Sequence, residues 1–332
     1  MNRSVFPRRL RHSPRRRLRF AAMLGSILLL TASCGDDGGV DTLAPDAFDG
    51  ISVTVGSKNF TEQYVLSEIL IQALVARGAE VTDATDSGDT ATTRQALLNG
   101  EIDAYWEYNS TGWVEHLGRS DPEEDGEKLT ENVHEADLAE NGINWIGRSS
   151  FNDTYGFAVG PDLAEKNQAT RYSVDAFDLE AMAEYLKDNS DAVVCIEPEF
   201  AERSDGLVLF ETETDFSIPE DQIRIVDDEA DIYPLTASGA CDFGEVFTTD
   251  GRIDALDLDV VVDPGVFYVY NVSLNLPTEV YEQAPEAFDA LAEAILRPLS
   301  QSRITELNRQ VNDGTPVSQV AADYLKLFKI NA

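Results

Sequence analysis

From Ile51 the chain reads ISVTVGSKNFTEQYVLSEIL, a β-branched run that passes through one lysine into a different rhythm. From Thr61 onward Val65, Ile69, Leu70 and Leu74 recur at helical spacing, and Gly78 closes the segment. A strand followed at once by a helix cannot fold back as a hairpin. Repeated, such units build an α/β architecture with mostly parallel sheets. The alternation does repeat. TDSGDTATTRQALLNG reads as a loop leading into a helix that stops at Gly100. IDAYWEY, TYGFAVG and DAVVCIE read as further strands, and TEVYEQAPEAFDALAEAILRPL and PVSQVAADYLKLF as helices near the C-terminus.

No repeat of 20 to 50 residues is found. Two segments read as hinges, around Asn152–Gly156 and around Pro264–Tyr270. If the chain crosses at both, the first of two lobes is discontinuous. Residues 51–153 and 268–332 then form lobe I and residues 154–267 lobe II, with a ligand site in the cleft between them.

Upstream of this, residues 1–33 carry eight arginines and no acid, and end in an apolar stretch of 13 residues, Phe20 to Ala32. That stretch is short of the roughly 20 residues needed to span a bilayer and reads as a secretory signal peptide. RRRLRF also admits a twin-arginine reading. Cys34, after LTAS, resembles the cysteine of a bacterial lipobox, which implies cleavage before it and lipidation of its thiol. Thr31 departs from the larger aliphatic residue usual in such a box. Residues 34–50, rich in Gly and Asp without periodicity, read as a flexible tether behind a lipid anchor.

The whole chain holds 61 acidic and 25 basic residues, a net of −36, and removal of the eight leader arginines deepens this to −44. So acidic a surface repels nucleic acid and anionic headgroups, which excludes those partners, and serves solubility. Cys195 and Cys241 each follow an apolar or small-residue run. In an oxidising compartment they either pair or stay free, and spacing alone leaves both open.

No enzyme signature is present: there is no GxSxG, P-loop, HExxH or dinucleotide fingerprint, and no cofactor or metal is implied. His116 and His134 lack nearby ligand-type residues in sequence and read as surface positions. Aromatic residues carry more information. AYWEYNSTGW places Tyr105, Trp106, Tyr108 and Trp113 within nine residues, and in a strand Trp106 and Tyr108 face the same way. FNDTYGF sets Tyr155 at the first hinge, FGEVFTTDGR sets Phe247 at a strand end, and GVFYVYNV sets Tyr268 and Tyr270 at the second hinge. Rings that converge on one cleft suit a quaternary ammonium, which cannot donate hydrogen bonds but is attracted to a π face.

GSKNFTEQ, DAYWEYNSTGW, NDTYGFAV, PEFAERSDG, FGEVFTTDGRI and YVYNV occur in this order, and the chain resembles the substrate-binding proteins of osmoprotectant ABC importers. The resemblance covers nearly all of residues 51–332. It implies a two-lobed clamp of the type II periplasmic-binding-protein kind that takes up glycine betaine, choline or carnitine. The partners it implies are an ABC permease with its ATPase subunits, and the binding protein itself is expected as a monomer, extracytoplasmic and held to the membrane by its N-terminal lipid.

Matched residue by residue, the resemblance implies a ligand cage of Tyr108, Tyr155, Phe247 and Tyr270. It implies a polar end of Lys58, Thr111 and Arg203, with Asp153 supporting the cage. Phe247 departs from the tyrosine expected there. Lys58, ahead of the helix at Thr61, sits where backbone N–H groups and the helix dipole favour an anion. Arg203 can form a bidentate pair with a ligand carboxylate or, instead, pair with Glu199 or Asp205. The rival readings are a receptor for another cation or an amino acid, a secreted lyase or hydrolase on the same scaffold, and a surface structural protein.

Overall fold

The structure is a computed structural model that describes residues 43–166 and 177–331. The signal peptide, Cys34 and residues 34–42 of the expected tether lie outside the described residues. Residues 43–50 are not a free tether. Phe48 is fully buried with its ring 4.9 Å from that of Phe288, and its backbone N–H donates to Arg77. A large ring outweighs the turn-like composition around it, since its burial contributes roughly 1.5–3 kcal/mol.

Among the described residues ten strands follow: β1 (Ser52–Lys58), β2 (Glu80–Gly88), β3 (Tyr105–Tyr108), β4 (Ile143–Ile146), β5 (Tyr155–Val159), β6 (Val194–Ile196), β7 (Ile223–Ile225), β8 (Phe243–Phe247), β9 (Asp259–Val260) and β10 (Val272–Pro277). β1 and β2 pair in parallel around helix α1 (Thr61–Val75), whose Val65, Leu66, Ile69, Leu70 and Leu74 are all fully buried. The segment Thr85–Gly88, read from sequence as loop, is the end of β2 and precedes helix α2 (Thr90–Leu98), capped by the Asp89 side chain on Thr92 N–H. A further helix, Gln301–Asn312, lies between the two helices read near the C-terminus, and the first of those is divided into Thr278–Tyr281 and Pro285–Leu296.

The sheets are mixed rather than mostly parallel. β10 lies between β3 and β4, antiparallel to both. In the five-stranded sheet, ordered β7-β6-β8-β5-β9, β6 is parallel to β7 and β8, while β5 runs antiparallel to β8 and β9. The cause is how β5 and β10 arrive. Each enters its sheet directly from the other half of the molecule, with no crossover helix to impose parallel pairing.

The two connecting segments run side by side. Asp153 N–H donates to Tyr270 O at 3.0 Å, Thr154 Oγ1 to Tyr268 O at 2.8 Å, and Tyr270 N–H to Asn152 Oδ1 at 2.6 Å. Strands before residue 147 and after residue 271 thus build the two- and three-stranded sheets, and those between build the five-stranded one. A disulfide joins Cys195 on β6 to Cys241 just before β8, tying together two neighbouring strands of the five-stranded sheet.

Candidate functional site

A cavity of about 300 Å³ opens where the sheets meet, and all eight side chains assigned above to the cage, its support and its polar end line it. The alternation of β3 explains its share. Trp106 is fully buried, its Nε1 donating to Leu66 O on α1 at 2.9 Å, and Tyr108, two residues on, shares that face and reaches the cavity. Tyr155 opens β5 and Phe247 ends β8, directly opposite each other in the ladder, while Tyr270 comes from the second connection.

The rings form an arc. Centroids are 5.5 Å apart for Tyr155–Tyr270, 5.5 Å for Tyr155–Phe247 and 5.3 Å for Phe247–Phe60, and 6.3 Å for Phe60–Tyr108. Phe60 was not singled out from sequence. It lies between β1 and α1, where neither the period of two nor that of 3.6 marks which way a side chain points.

Behind the arc lies a layer of hydrogen-bonded carboxyls. Tyr108 OH donates to Glu62 Oε1 at 2.8 Å, and Asn308 Nδ2 to Glu62 Oε2 at 3.0 Å. Thr249 Oγ1 lies 2.6 Å from both Glu62 Oε2 and Asp153 Oδ1. Burial pushes the Glu62 carboxyl up, against the pull of its hydrogen bonds. Burial and then the charge of Glu62 push Asp153 well above the ordinary carboxylate range. Glu62, in the first turn of α1, sits where an anion was expected to be favoured; the acid there belongs to the protein.

The two basic groups are also engaged. Lys58 Nζ is 2.7 Å from Glu107 Oε1 and 5.1 Å from the centre of the Tyr108 ring. Glu107 is completely buried. Burial alone would raise its pKa, but Lys58 and His116 hold it well below the usual range. His116 is not a surface residue. The wide turn Gly112–His116 folds it back so that Nε2 meets Glu107 Oε2 at 2.8 Å, and burial lowers its pKa despite that partner. The turn can pack this closely because Gly112 has no Cβ: one placed there would lie 2.4 Å from the Trp145 ring. His134 is likewise partnered, Nδ1 accepting from Trp145 N–H at 3.1 Å.

Arg203 grips Asp205 with two parallel bonds, Nε to Oδ1 and Nη2 to Oδ2, both 2.7 Å. Its Nη1 donates to Glu199 at 2.9 Å and its Nη2 to Thr111 Oγ1 at 3.2 Å. Tyr270 OH donates to the same Asp205 at 2.8 Å. Arg203, from the half built on the five-stranded sheet, therefore meets Thr111 from the other half directly. The pairing with Glu199 and Asp205 that the sequence left open to it is formed.

Residues 51–327 match the family model described as the substrate binding domain of an ABC-type glycine betaine transport system. The chain is 30% identical over 278 residues to the glycine-betaine-binding protein of Pseudomonas aeruginosa, covering 83% of this chain and 87% of that one. It is 28% identical over 281 residues to the glycine betaine-binding protein YehZ of Escherichia coli, covering 82% and 90%. The fold also matches the crystal structure of a glycine betaine/carnitine/choline ABC transporter with a TM-score of 0.67 at 22% identity, over 84% of this chain and 100% of that one. These neighbours are two-lobed α/β proteins, and this chain shares that architecture.

Proposed function

The chain belongs to the family of substrate-binding domains of ABC-type glycine betaine transport systems, and on that premise we propose that it captures a quaternary-ammonium solute (glycine betaine, choline or carnitine) between its two lobes. Residues 51–153 with 268–332 form one lobe and residues 154–267 the other. The observation that carries the ligand assignment is the arc of Tyr108, Phe60, Phe247, Tyr155 and Tyr270 around one cavity. Methylated nitrogen gives no protons to acceptors, so π faces and apolar contact must hold it, each desolvated ring contributing on the order of 1–2 kcal/mol. Thr111 and Arg203 bridge the lobes across the polar end, and closure brings them together.

The protein binds and releases its solute unchanged and passes it, as a monomer, to a membrane permease with its ATPase subunits. It acts outside the cytoplasm, anchored through a lipid on Cys34. Titration calorimetry with glycine betaine, choline, carnitine and several amino acids tests the reading. Binding of at least one quaternary amine below about millimolar is expected; binding of amino acids alone would refute it. Recovery of the solute unaltered after long incubation separates a receptor from an enzyme on this scaffold.

A further inference from the structure

Both basic side chains that reach the cavity are neutralised by acids that cannot move away. Glu107, which holds Lys58, and Asp205, which holds Arg203, are each fully buried, and the cations themselves are 4% and 5% exposed. Four of the five N–H donors of Arg203 are taken: three by Asp205 and Glu199, the fourth by Thr111. The Lys58 ammonium keeps spare protons, but its charge is compensated at 2.7 Å.

The other charged side chains of the lining are all acidic. Asp153 stands at the cage and Glu197 beside Glu199, and a rim of Asp86, Asp227, Asp228 and Glu229 completes the opening. A ligand carboxylate entering this pocket meets no uncompensated positive charge, but acidic side chains and rings. A cation meets π faces and carboxyls together.

We propose that this pocket selects quaternary amines of net positive charge, with a neutral or cationic tail, over zwitterions that carry a carboxylate; the inference rests on the aromatic-cage reading above. Glu107 and Asp205 are then the residues that set the preference, since they remove the positive charge a carboxylate would need.

Calorimetry on the purified protein with tetramethylammonium, choline and glycine betaine decides it. The first reads the cage alone, and the other two differ chiefly in the carboxylate. Choline is expected to bind at least about tenfold more tightly than glycine betaine, a difference of about 1.4 kcal/mol. Asp205→Asn, which leaves Arg203 its Glu199 partner but frees charge toward the cavity, is expected to narrow that ratio, with a thermal melt confirming that it folds. Glycine betaine binding as tightly as choline to the unaltered protein would overturn the proposal while leaving the cage reading intact. An unchanged ratio in folded Asp205→Asn would also overturn it. If none of the three amines binds, the cage reading itself falls.

Discussion

Glu62 and Asp153 share one hydroxyl, Thr249 Oγ1 standing 2.6 Å from an oxygen of each. A hydroxyl donates a single proton, so the second short contact needs a proton on one of the carboxyls. Tyr108 and Asn308 also face Glu62, and Asp250 faces Asp153 and raises it further. A cation against Asp153 favours its ionised form and drives the shared proton out. Choline affinity is therefore expected to tighten as pH rises above the ordinary carboxylate range. Glu197 and Glu229, on the same cavity, act in the same direction, so the share of the pair is read from the variant. Glu62→Gln should flatten the profile and reduce proton release measured in buffers of different ionisation enthalpy. Identical profiles for the two proteins would contradict the shared proton.

Glu197 raises a separate question of stability. Burial first, then Glu199 and Glu229, push its carboxyl from 4.5 to about 8, with Arg203 and Lys58 opposing. Glu245, whose Oε2 accepts from Glu197 N–H at 3.1 Å, is raised by burial and by Glu197. A folded-state pKa above the unfolded value favours the protonated native protein. The stability it contributes is complete below pH 4.5, falls as pH rises and is gone above about 8. Glu197→Gln keeps the protonated form's shape without the titration. Its stability, followed by thermal melts, should gain on that of the wild type as pH is raised from about 5 to about 8, by a few kcal/mol at most. A constant difference across that range would rule this out.

What the sequence made legible is what repeats. The buried face of α1 and the shared face of Trp106 and Tyr108 follow from periods of 3.6 and 2, and the rings at strand ends stood out because aromatics are few. Partners chosen across the fold leave no such mark. Glu107 is one carboxylate among 61 acidic residues, and nothing local shows that it meets Lys58 in the interior, whereas Asp205, two residues from Arg203, was open to view as its partner. Thr249 and Glu62 come together over 187 residues, and His116 looked solvent-facing because its partner Glu107 lies nine residues away on a strand. Phe48 and the end of β2 were hidden under turn-like composition that tertiary packing overrode.

The bond between Cys195 and Cys241 closes a loop of 46 residues. The chain-entropy model gives about 4 kcal/mol for a loop of that length, subject to strain and residual structure in the unfolded chain. Replacing both cysteines by serine, or adding reductant, should lower the urea midpoint by an amount corresponding to roughly 2–4 kcal/mol. Because the bond reaches β8 just before its start while Phe247 lies at its far end, solute affinity measured well below the melting temperature should hold. A reduced protein that melts where the oxidised one does would sink the stability claim.

Phe60 provides the sharpest test of the arc. Its ring spans the gap between Tyr108 of one lobe and Phe247 of the other, 6.3 and 5.3 Å from their centres, yet it is only partly buried and packs against the core from outside. Truncation there removes a π face from the cavity without emptying a core position. Phe60→Ala is expected to weaken quaternary-amine binding by about 1 kcal/mol, roughly fivefold, with little change in the thermal midpoint. Phe60→Leu, which restores apolar contact but no quadrupole, should recover less of the affinity than Phe60→Tyr. If leucine restores binding fully, the site holds its solute by apolar contact and the electrostatic part of the cage argument is wrong.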